Sequence, residues 1–344
     1  MSLDIAAILL QDGLTNGAIY VLLAVVLVLI FTVTRIVFVP QGDLVALSAL
    51  TLADFELGHR PGVVWILGPA AGVALILELI AARGQLRLMW RPAIEFGVVP
   101  GLVILLALFA VPKDAPLLWK MVVTCGLITV IAPILYRIAF QPMAEASPLV
   151  LLIAAVAVHF GLTSLALHIF GAEGVRTSGF AGAPFEFLGQ SVSPQTIGVI
   201  ITSLVLSAAM FIFFSRALTG KALLAAAFNR RGAELVGIST ARAGRIAFLV
   251  VGFVGAVSGL LIGPITTLYY DSGFLLGLKG FVGAIVGGLA VYPVAAAGAL
   301  LVGLIESFAS FWVSAYRDLA VFMLIIPVLF WRSLATPNFE EDAE

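Results

Sequence analysis

Long apolar runs, separated by charged residues, Gly and Pro, dominate the hydrophobic pattern of this chain. A membrane-spanning helix needs about 20 mostly apolar residues, so each run is predicted to form one transmembrane helix. The pattern predicts an all-α, polytopic transmembrane helical bundle of about 11 spans, with 10–12 compatible with the run lengths. The predicted spans are 12–34, 41–58, 63–82, 94–112, 118–139, 148–170, 195–215, 245–268, 274–292, 295–314 and 319–332.

The composition supports a membrane protein and restricts its domain organisation. Of 344 residues, 62% are hydrophobic and 11% are charged, whereas soluble chains carry about 25% charged residues. The spans leave little sequence for anything else, so 1–344 is predicted to be a single transmembrane domain. This excludes a folded ATPase or a solute-binding lobe. An outer-membrane barrel is also excluded, because its strands alternate apolar and polar residues.

Charge and cysteine usage exclude further classes. The chain has 18 basic and 19 acidic residues, a balance that argues against a nucleic-acid partner. Cys125 is the single cysteine and cannot form an intrachain disulfide or a zinc site. His159 and His168 lie in one span, too far apart in helical phase to chelate a metal together, and are interpreted as core or interfacial residues. No Lys or Arg precedes Arg35, so no cleavable signal peptide is expected.

The distribution of basic residues predicts the orientation in the membrane. The segment 216–245 is predicted to be a cytoplasmic loop, since short cytoplasmic loops are enriched in Lys and Arg. The loops 83–91 and 137–147 then fall on the same side, and an odd span count puts the C-terminus inside. In the alternative, the Gly-rich run 274–292 is re-entrant and the N-terminal side flips. The basic residues of the 216–245 loop are Arg216, Lys221, Arg230, Arg231, Arg242 and Arg245.

Within this loop, residues 219–236 are predicted to form one helix. Thr219 is a candidate cap and Gly237 a candidate stop. Leu223, Ala226, Ala227 and Leu235 would form a stripe along one face. Such a helix could dock into a groove on another protein, or the loop could lie solvated against anionic lipid head groups. Composition alone does not choose between these interpretations.

Three glycines at one-turn spacing predict a close helix contact. Gly255, Gly259 and Gly263 share one face of a span, and this small-residue spacing lets two helix backbones approach each other.

Ionisable residues inside spans are costly and are candidate functional residues. Lys279 and Glu306 are predicted to pair between adjacent spans, and a role in fixing helix register is favoured over substrate contact. Asp43, which opens the second span after Gln41 and Gly42, either complements the helix dipole or binds a substrate ammonium group. Glu78 is predicted to reach the cytoplasmic edge.

Several separated segments resemble one known family in the right order. The chain resembles the branched-chain amino-acid type permeases of bacterial ABC importers, the membrane subunits related to high-affinity leucine, isoleucine and valine uptake. The opening DGLTNGAIYVLLAVVLVLIFTVTRIVFVPQGDLVALSA, with Gln41-Gly42-Asp43, is similar to the first two membrane segments of that family. The most specific matches are AAAFNRRGAELVGISTARAGRIAFLVVGFVGAVSGLLIGP, GLKGFVGAIVGGLAVYPVAAAGALLVGLIESFAS and YRDLAVFMLIIPVLFWR. Together the similar segments cover most of 12–58 and 137–332.

The resemblance implies a mechanism and a set of partners. It implies that residues 225–237 are the coupling helix moved by an ATPase subunit, with Ala225, Ala226, Ala227, Glu234, Leu235 and Gly237 as its coupling residues. It also implies two ATP-binding cassette ATPase subunits, a second permease subunit of the same or another sequence, and a periplasmic solute-binding protein. ATP and Mg would be bound by the ATPase partners, and the chain itself would hold no cofactor and no metal. The implied location is the bacterial inner membrane, with Gln41, Asp43, Lys279 and Glu306 as candidate translocation or inter-helix polar residues.

The chain also departs from the family pattern. Region 86–136 holds enough apolar sequence for one or two extra spans. The family's Asn-Phe-Ala, Arg-Pro and Gly-Ser or Gly-Asn elements are replaced here by Phe38-Val39-Pro40, Gln141-Pro142 and Val291-Tyr292-Pro293. These departures bear on the identity of the solute more than on the transport mechanism.

Two alternatives come from other classes. An ion-coupled secondary transporter of a small organic solute would use Asp43, Glu78, Lys279 or Glu306 as its coupling charge. A membrane enzyme finds no support, because no H-E-x-x-H or G-x-S-x-G motif occurs. The pair Gly220-Lys221 lacks the upstream Gly of a phosphate-binding loop, so this chain is expected not to hydrolyse ATP.

Overall fold

The computed structural model describes residues 3–81, 90–187 and 190–335. Within these ranges the chain is almost entirely helical, and nine helical stretches are long and apolar enough to cross a membrane. The ninth, Ser314–Trp331, includes two consecutive short helices. This confirms the predicted all-α polytopic bundle. The predicted spans 41–58 and 274–292 correspond to two shorter helices of 17 and 15 residues. The prediction of about eleven spans therefore counted nine full-length helical stretches and two short helices.

The helices and strands follow the predicted runs closely. The first helices are α1 (Leu3–Thr34), α2 (Gln41–Leu57), α3 (Val64–Ala81), α4 (Trp90–Phe109), α5 (Leu117–Met143) and α6 (Pro148–Phe170). A two-stranded antiparallel hairpin, β1 (Phe185–Phe187) and β2 (Gln190–Val192), follows them. The remaining helices are α7 (Pro194–Arg216), α8 (Leu218–Phe228), α9 (Arg230–Leu235), α10 (Thr240–Ile262), α11 (Ser272–Val286), α12 (Tyr292–Trp312), α13 (Arg317–Met323) and α14 (Ile325–Ala335).

Helix α1 forms the centre of the bundle. It packs against α12, α10, α11 and α7, and its residues 17–30 are buried on every face of the helix. A helix that is apolar all round is expected in the interior, where it has no face for solvent. The β-hairpin marks one end of the bundle, called the hairpin end. The loop with α8 and α9 marks the other, called the coupling end.

Helix α2 begins inside the bundle and not at its surface. The chain leaves α1 at Thr34 at the coupling end and turns at Arg35, whose φ is 60°. It then re-enters the bundle through the buried residues Ile36 and Phe38. At the start of α2, Gln41 Nε2 donates a hydrogen bond of 3.2 Å to Leu23 O. Leu23 precedes the end of α1 by three turns, so α2 starts roughly 16 Å below that end.

Helix α11 begins at the same depth but runs the opposite way. Its first turn, at Gly273, packs against Gly42 and Asp43. Farther along, Gly280 packs against Leu23, and Gly287 packs against Ala295 near the start of α12. Helix α2 thus runs from mid-depth to the hairpin end, and α11 from mid-depth to the coupling end. The pairs α1–α2 and α10–α11 have inverted orientations, an arrangement typical of transporters.

The three predicted packing glycines face helix α2. A Cβ added to Gly255 would lie 3.2 Å from Leu44 Cβ, and one added to Gly263 would lie 2.6 Å from Thr177 Oγ1. A Cβ on Gly259 would lie 2.5 Å from Ser48 Cβ and would overlap the carbonyl oxygen of Val45. The small residues therefore allow α10 and α2 to run in parallel with their backbones in contact.

We expect Gly259→Leu to destabilise the protein, because the new side chain would force α10 away from α2. Overpacking of this kind costs about 1–3 kcal/mol or more. The measurement is thermal unfolding of the purified protein in detergent. Gly101→Leu is the matched control, since a Cβ there meets nothing within 4 Å. Equal melting temperatures for the two variants would refute the packing role of Gly259.

Helices α3 and α4 lie at the edge of the bundle. They pack on each other and on α5, whereas α5 packs extensively on α10 and also on α2. The sequence analysis predicts extra spans in 86–136, of which residues 86–89 lie outside the described residues. The region contains α4 and most of α5. Helix α5 packs on the central helices, whereas α4 forms a peripheral pair with α3.

Candidate functional site

The crossing of α2 and α11 lies at the centre of the molecule. Gly42 and Gly273 approach each other backbone to backbone, and a Cβ on either residue would meet main-chain atoms of the other helix. Two helix N-termini, each with a partial positive charge, therefore end inside the bundle. Polar side chains that flank this crossing are the first candidates for a functional site.

Gln41 and Asp43 flank the crossing on α2. Both side chains are buried, and Gln41 Oε1 has no hydrogen-bond partner among the described residues. The Asp43 carboxylate lies 2.9 and 2.8 Å from His159 Nδ1 through its Oδ1 and Oδ2 atoms. Sequence analysis assigned Asp43 to the helix dipole or to a substrate ammonium group. The structure places an imidazole N–H at this carboxylate.

His159 connects the peripheral helix α6 to the crossing. Its ring stacks on Phe274 at the start of α11, with centroids 4.9 Å apart. A histidine halfway along an apolar helix is thus bonded to α2 and packed on α11. Sequence reasoning classed His159 as a core or interfacial residue and did not pair it with Asp43. The available signal was one acid at the start of a span and one histidine in the middle of another, since ionisable residues inside spans need partners.

Lys279, Glu306 and Tyr20 form a second buried cluster. Lys279 Nζ donates a hydrogen bond of 2.6 Å to Glu306 Oε1, and Tyr20 Oη donates one of 2.6 Å to Glu306 Oε2. Lys279 Nζ also lies 2.9 Å from Asp318 Oδ1. The side chains of Lys279 and Glu306 are 6% and 8% exposed. The structure therefore brings together the two residues that sequence analysis pairs, and adds Tyr20 and Asp318, which it did not select.

We expect single substitutions of the Lys279–Glu306 pair to destabilise the protein more than the double substitution. Lys279→Met leaves Glu306 without its cation, and breaking a buried pair costs about 3–5 kcal/mol. Replacing both residues, as Lys279→Met with Glu306→Leu, removes both buried charges and should recover much of that loss. Unfolding midpoints of the purified variants measure this. Additive losses in the double variant would contradict the pairing.

A cavity of about 670 Å³ connects this cluster to the hairpin end. Its base includes Tyr20, Lys279, Glu306 and Arg317. Polar residues line most of the walls, and an apolar patch that includes Ile262, Leu275 and Leu276 lies among them. The polar wall residues include Gln11, Asp12, Thr15, Asn16, Arg176, Ser193, Gln195, Thr196, Thr266, Ser272, Ser307 and Ser310. The cavity can therefore admit a small polar solute to mid-depth.

At the coupling end, two short helices, α8 and α9, replace the single helix predicted for 219–236. Helix α8 ends at Phe228, and Asn229 begins the new helix α9 by accepting a hydrogen bond of 2.8 Å from Gly232 N through its side chain. The N-terminal flanking residue of α8 is Ala217 and not Thr219. Asn side chains compete well for backbone donors at helix starts, which explains the break. Gly237 ends the segment with a φ of 85°.

The two short helices turn different faces to solvent. Leu223 and Ala226 are buried, whereas Phe228 and Leu235 are 89% and 88% exposed. The predicted stripe of Leu223, Ala226, Ala227 and Leu235 is therefore wrong as a single face. Glu234 accepts a hydrogen bond of 2.7 Å from Thr240 Oγ1, which attaches α9 to the start of α10. Phe228 and Leu235 are therefore accessible for contact with another molecule.

Ion pairs attach the peripheral α3–α4 pair to the coupling end. Glu78 Oε1 accepts from Arg137 Nε at 2.7 Å, and Glu95 Oε2 accepts from Arg245 Nη1 at 2.7 Å. Glu78 thus lies near the predicted edge of the bundle. Its partner Arg137 belongs to α5.

Comparisons with known proteins give a family match and several relatives. A family model described as branched-chain amino acid transport system / permease component matches residues 9–330. LivH of Escherichia coli (strain K12), a high-affinity branched-chain amino acid transport system permease protein, is 30% identical over 202 residues, which cover 56% of this chain and 65% of LivH. LivH of Salmonella typhimurium gives the same identity and coverage. BraD of Pseudomonas aeruginosa, with the same description, is 27% identical over 216 residues, or 60% of this chain and 70% of BraD. The matches to LivH thus span just under two thirds of its length.

Proposed function

Because the chain belongs to the branched-chain amino acid transport system permease family, we propose that it is the membrane permease subunit of an ABC importer. The solutes would be branched-chain or other small hydrophobic amino acids, or related small carboxylates or amides. The chain would be a transport subunit and not an enzyme. It would lie in the bacterial inner membrane with the coupling end and the C-terminus in the cytoplasm.

The proposal requires partner chains. Two ATPase subunits would bind ATP and Mg, a second permease subunit of the same or another sequence would complete the pathway, and a periplasmic solute-binding protein would deliver the solute. The supporting observation in this chain is the coupling end, where Phe228 and Leu235 project from two short helices joined to α7 and α10. Such a segment can transmit motion of a partner to both helices.

The proposed mechanism is alternating access. ATP binding would close the ATPase dimer and move α8 and α9 together. Helix α10 would follow, because Glu234 bonds to Thr240 at its first turn. Since α10 packs on α2 through its glycine face, movement of α10 would reach the α2–α11 crossing. Over the ATP cycle, access to the cavity would alternate between the hairpin end and the coupling end.

We expect an ATPase subunit to copurify with the C-terminally tagged chain from native membranes. Replacing residues 225–237 with a Gly-Ser linker of equal length should abolish copurification and ATP-driven uptake while membrane insertion persists. The control replaces residues 183–187 at the hairpin end in the same way and should retain the ATPase. A linker variant that still binds the ATPase would rule out the coupling role. Transport by the isolated chain down an ion gradient would instead favour the secondary-transporter alternative.

A further inference from the structure

The base of the cavity contains a charge-balanced cluster that is open to solute on one side. Lys279 and Arg317 are cationic, and Glu306 and Asp318 are anionic, so the cluster has no net formal charge. Three of these residues, Lys279, Glu306 and Arg317, line the cavity. A cluster built only to fix helix register would have no reason to border a solute-sized space.

Arg317 retains hydrogen-bonding capacity toward the cavity. Its Nε atom lies 3.5 Å from Asp318 Oδ1 and 3.7 Å from Glu306 Oε1, and both distances are longer than an N–H···O hydrogen bond normally allows. Among the described residues no carboxylate comes closer, and the side chain is 48% exposed. A guanidinium carries five N–H donors in a planar fork that suits a carboxylate.

Glu306 retains acceptor capacity. Each of its oxygens accepts one hydrogen bond, Oε1 from Lys279 Nζ and Oε2 from Tyr20 Oη, whereas an ionised carboxylate has about four lone-pair sites. The apolar residues Ile262, Leu275 and Leu276 line the same cavity. One cavity thus contains an anion-binding group, Arg317, a cation-binding group, Glu306, and an apolar surface.

We propose that the base of the cavity is a low-affinity site for a zwitterionic α-amino acid, whose carboxylate binds Arg317 and whose ammonium group binds Glu306. This rests on the proposed function and narrows its range of solutes. A zwitterion leaves the cluster neutral, whereas a simple carboxylate or amine would add an unbalanced charge beside the buried Lys279 and Glu306. The site therefore selects amino acids over related carboxylates, and a neutral amide would lack the charged groups that Arg317 and Glu306 bind. The apolar walls would receive the side chain.

Saturation-transfer NMR on the permease complex in nanodiscs, without the solute-binding protein, tests the site directly. The probes are leucine, 4-methylpentanoate, which lacks the ammonium group, and isopentylamine, which lacks the carboxylate. We expect leucine to bind the wild-type complex about tenfold more tightly than either analogue, the ratio expected from one lost charge-assisted interaction. If the wild-type complex bound leucine and either analogue with equal affinity, the proposal would be overturned.

The second arm uses substitutions. Arg317→Gln should weaken leucine binding about tenfold, and Arg317→Lys, which keeps the charge, should recover part of the loss. Arg60→Gln is the control, an exposed arginine at the hairpin end that does not line the cavity. Unchanged leucine binding in Arg317→Gln would overturn the site.

ATP-driven uptake by the same complexes, reconstituted into liposomes with the solute-binding protein, separates the two proposals. A complex that hydrolyses ATP and imports leucine but shows no Arg317 dependence disproves the site alone. A complex that binds no amino acid and imports neither amino acids nor the related carboxylates and amides disproves the proposed function together with the site.

Discussion

Gly42→Ala is expected to abolish transport and to reduce stability sharply. The added methyl group would overlap the carbonyl oxygen of Gly273 and would lie 2.7 Å from Gly273 C and from Gly277 N. All three atoms belong to the backbone of α11, so no side-chain rearrangement can relieve the contact. Helices α2 and α11 would have to separate. Overpacking usually costs about 1–3 kcal/mol, and a backbone contact lies at the upper end of that range or above it.

The matched control for this prediction is Gly161→Ala in helix α6. A Cβ there meets nothing within 4 Å, and Ala is favoured over Gly inside a helix by roughly 0.5–1 kcal/mol. The control should therefore be as stable as the wild type or slightly more stable. Melting temperature and ATP-driven uptake are measured for both variants. Normal uptake in Gly42→Ala would show that transport does not require the backbone contact between α2 and α11.

Asp43 and His159 explain how the crossing tolerates two helix N-termini inside the bundle. The Asp43 carboxylate lies in the first turn of α2, where an anion compensates the partial positive charge of the helix end. The His159 bond keeps this carboxylate in place, and the stacking on Phe274 keeps the imidazole in contact with α11. Asp43 therefore compensates the charge of the helix end, and His159 holds the Asp43 carboxylate in the position where it does so.

Leu235→Asp and Phe228→Asp are expected to reduce ATP-driven uptake by about 100-fold or more, while expression and melting temperature stay unchanged. Both side chains are almost fully exposed in the isolated chain, so a charge there costs little stability. Buried against an ATPase subunit, the same charge would lose its hydration without a partner, which costs several kcal/mol. Copurified ATPase and uptake are measured together.

Phe185→Asp serves as the control for these two variants. Phe185 is also a large exposed apolar residue, but it lies in β1 at the hairpin end. We expect it to leave ATPase binding unchanged. If Phe185→Asp also lost ATPase binding, the effect of the charge would not be specific to the coupling end. Full activity of Leu235→Asp and Phe228→Asp would exclude this surface from the ATPase contact.

The sequence predicted some of the polar contacts and missed others for a physical reason. Lys279 and Glu306 were selected together because charged residues in apolar spans need partners, and the candidates were few. Tyr20 and His159 gave no comparable signal, since neither must carry a charge. Their importance depends on which helices become neighbours, and α1 meets α12 across 286 positions of sequence.

In the coupling segment, too, the sequence predicted the location but not the detailed structure. The basic composition of 216–245 identified a loop outside the apolar spans, and Gly237 was read as the end of a helical segment. The break at Asn229 was missed because Ala-rich sequence on one side favours a continuous helix. Only the structure shows that the Asn229 side chain accepts from Gly232 N and starts a second helix in another direction.

The sequence by itself determined the class of the protein, the approximate number and position of its spans, and the segment that lies outside them. These properties depend on the local count of apolar residues, which must reach about 20 wherever a helix crosses a membrane. The tertiary structure decided that α2 and α11 are short, that they start at mid-depth with Gly42 against Gly273, and that the Lys279–Glu306 cluster faces a cavity. Those features depend on which backbones approach closely, and an isolated run of apolar residues carries no information about its neighbours.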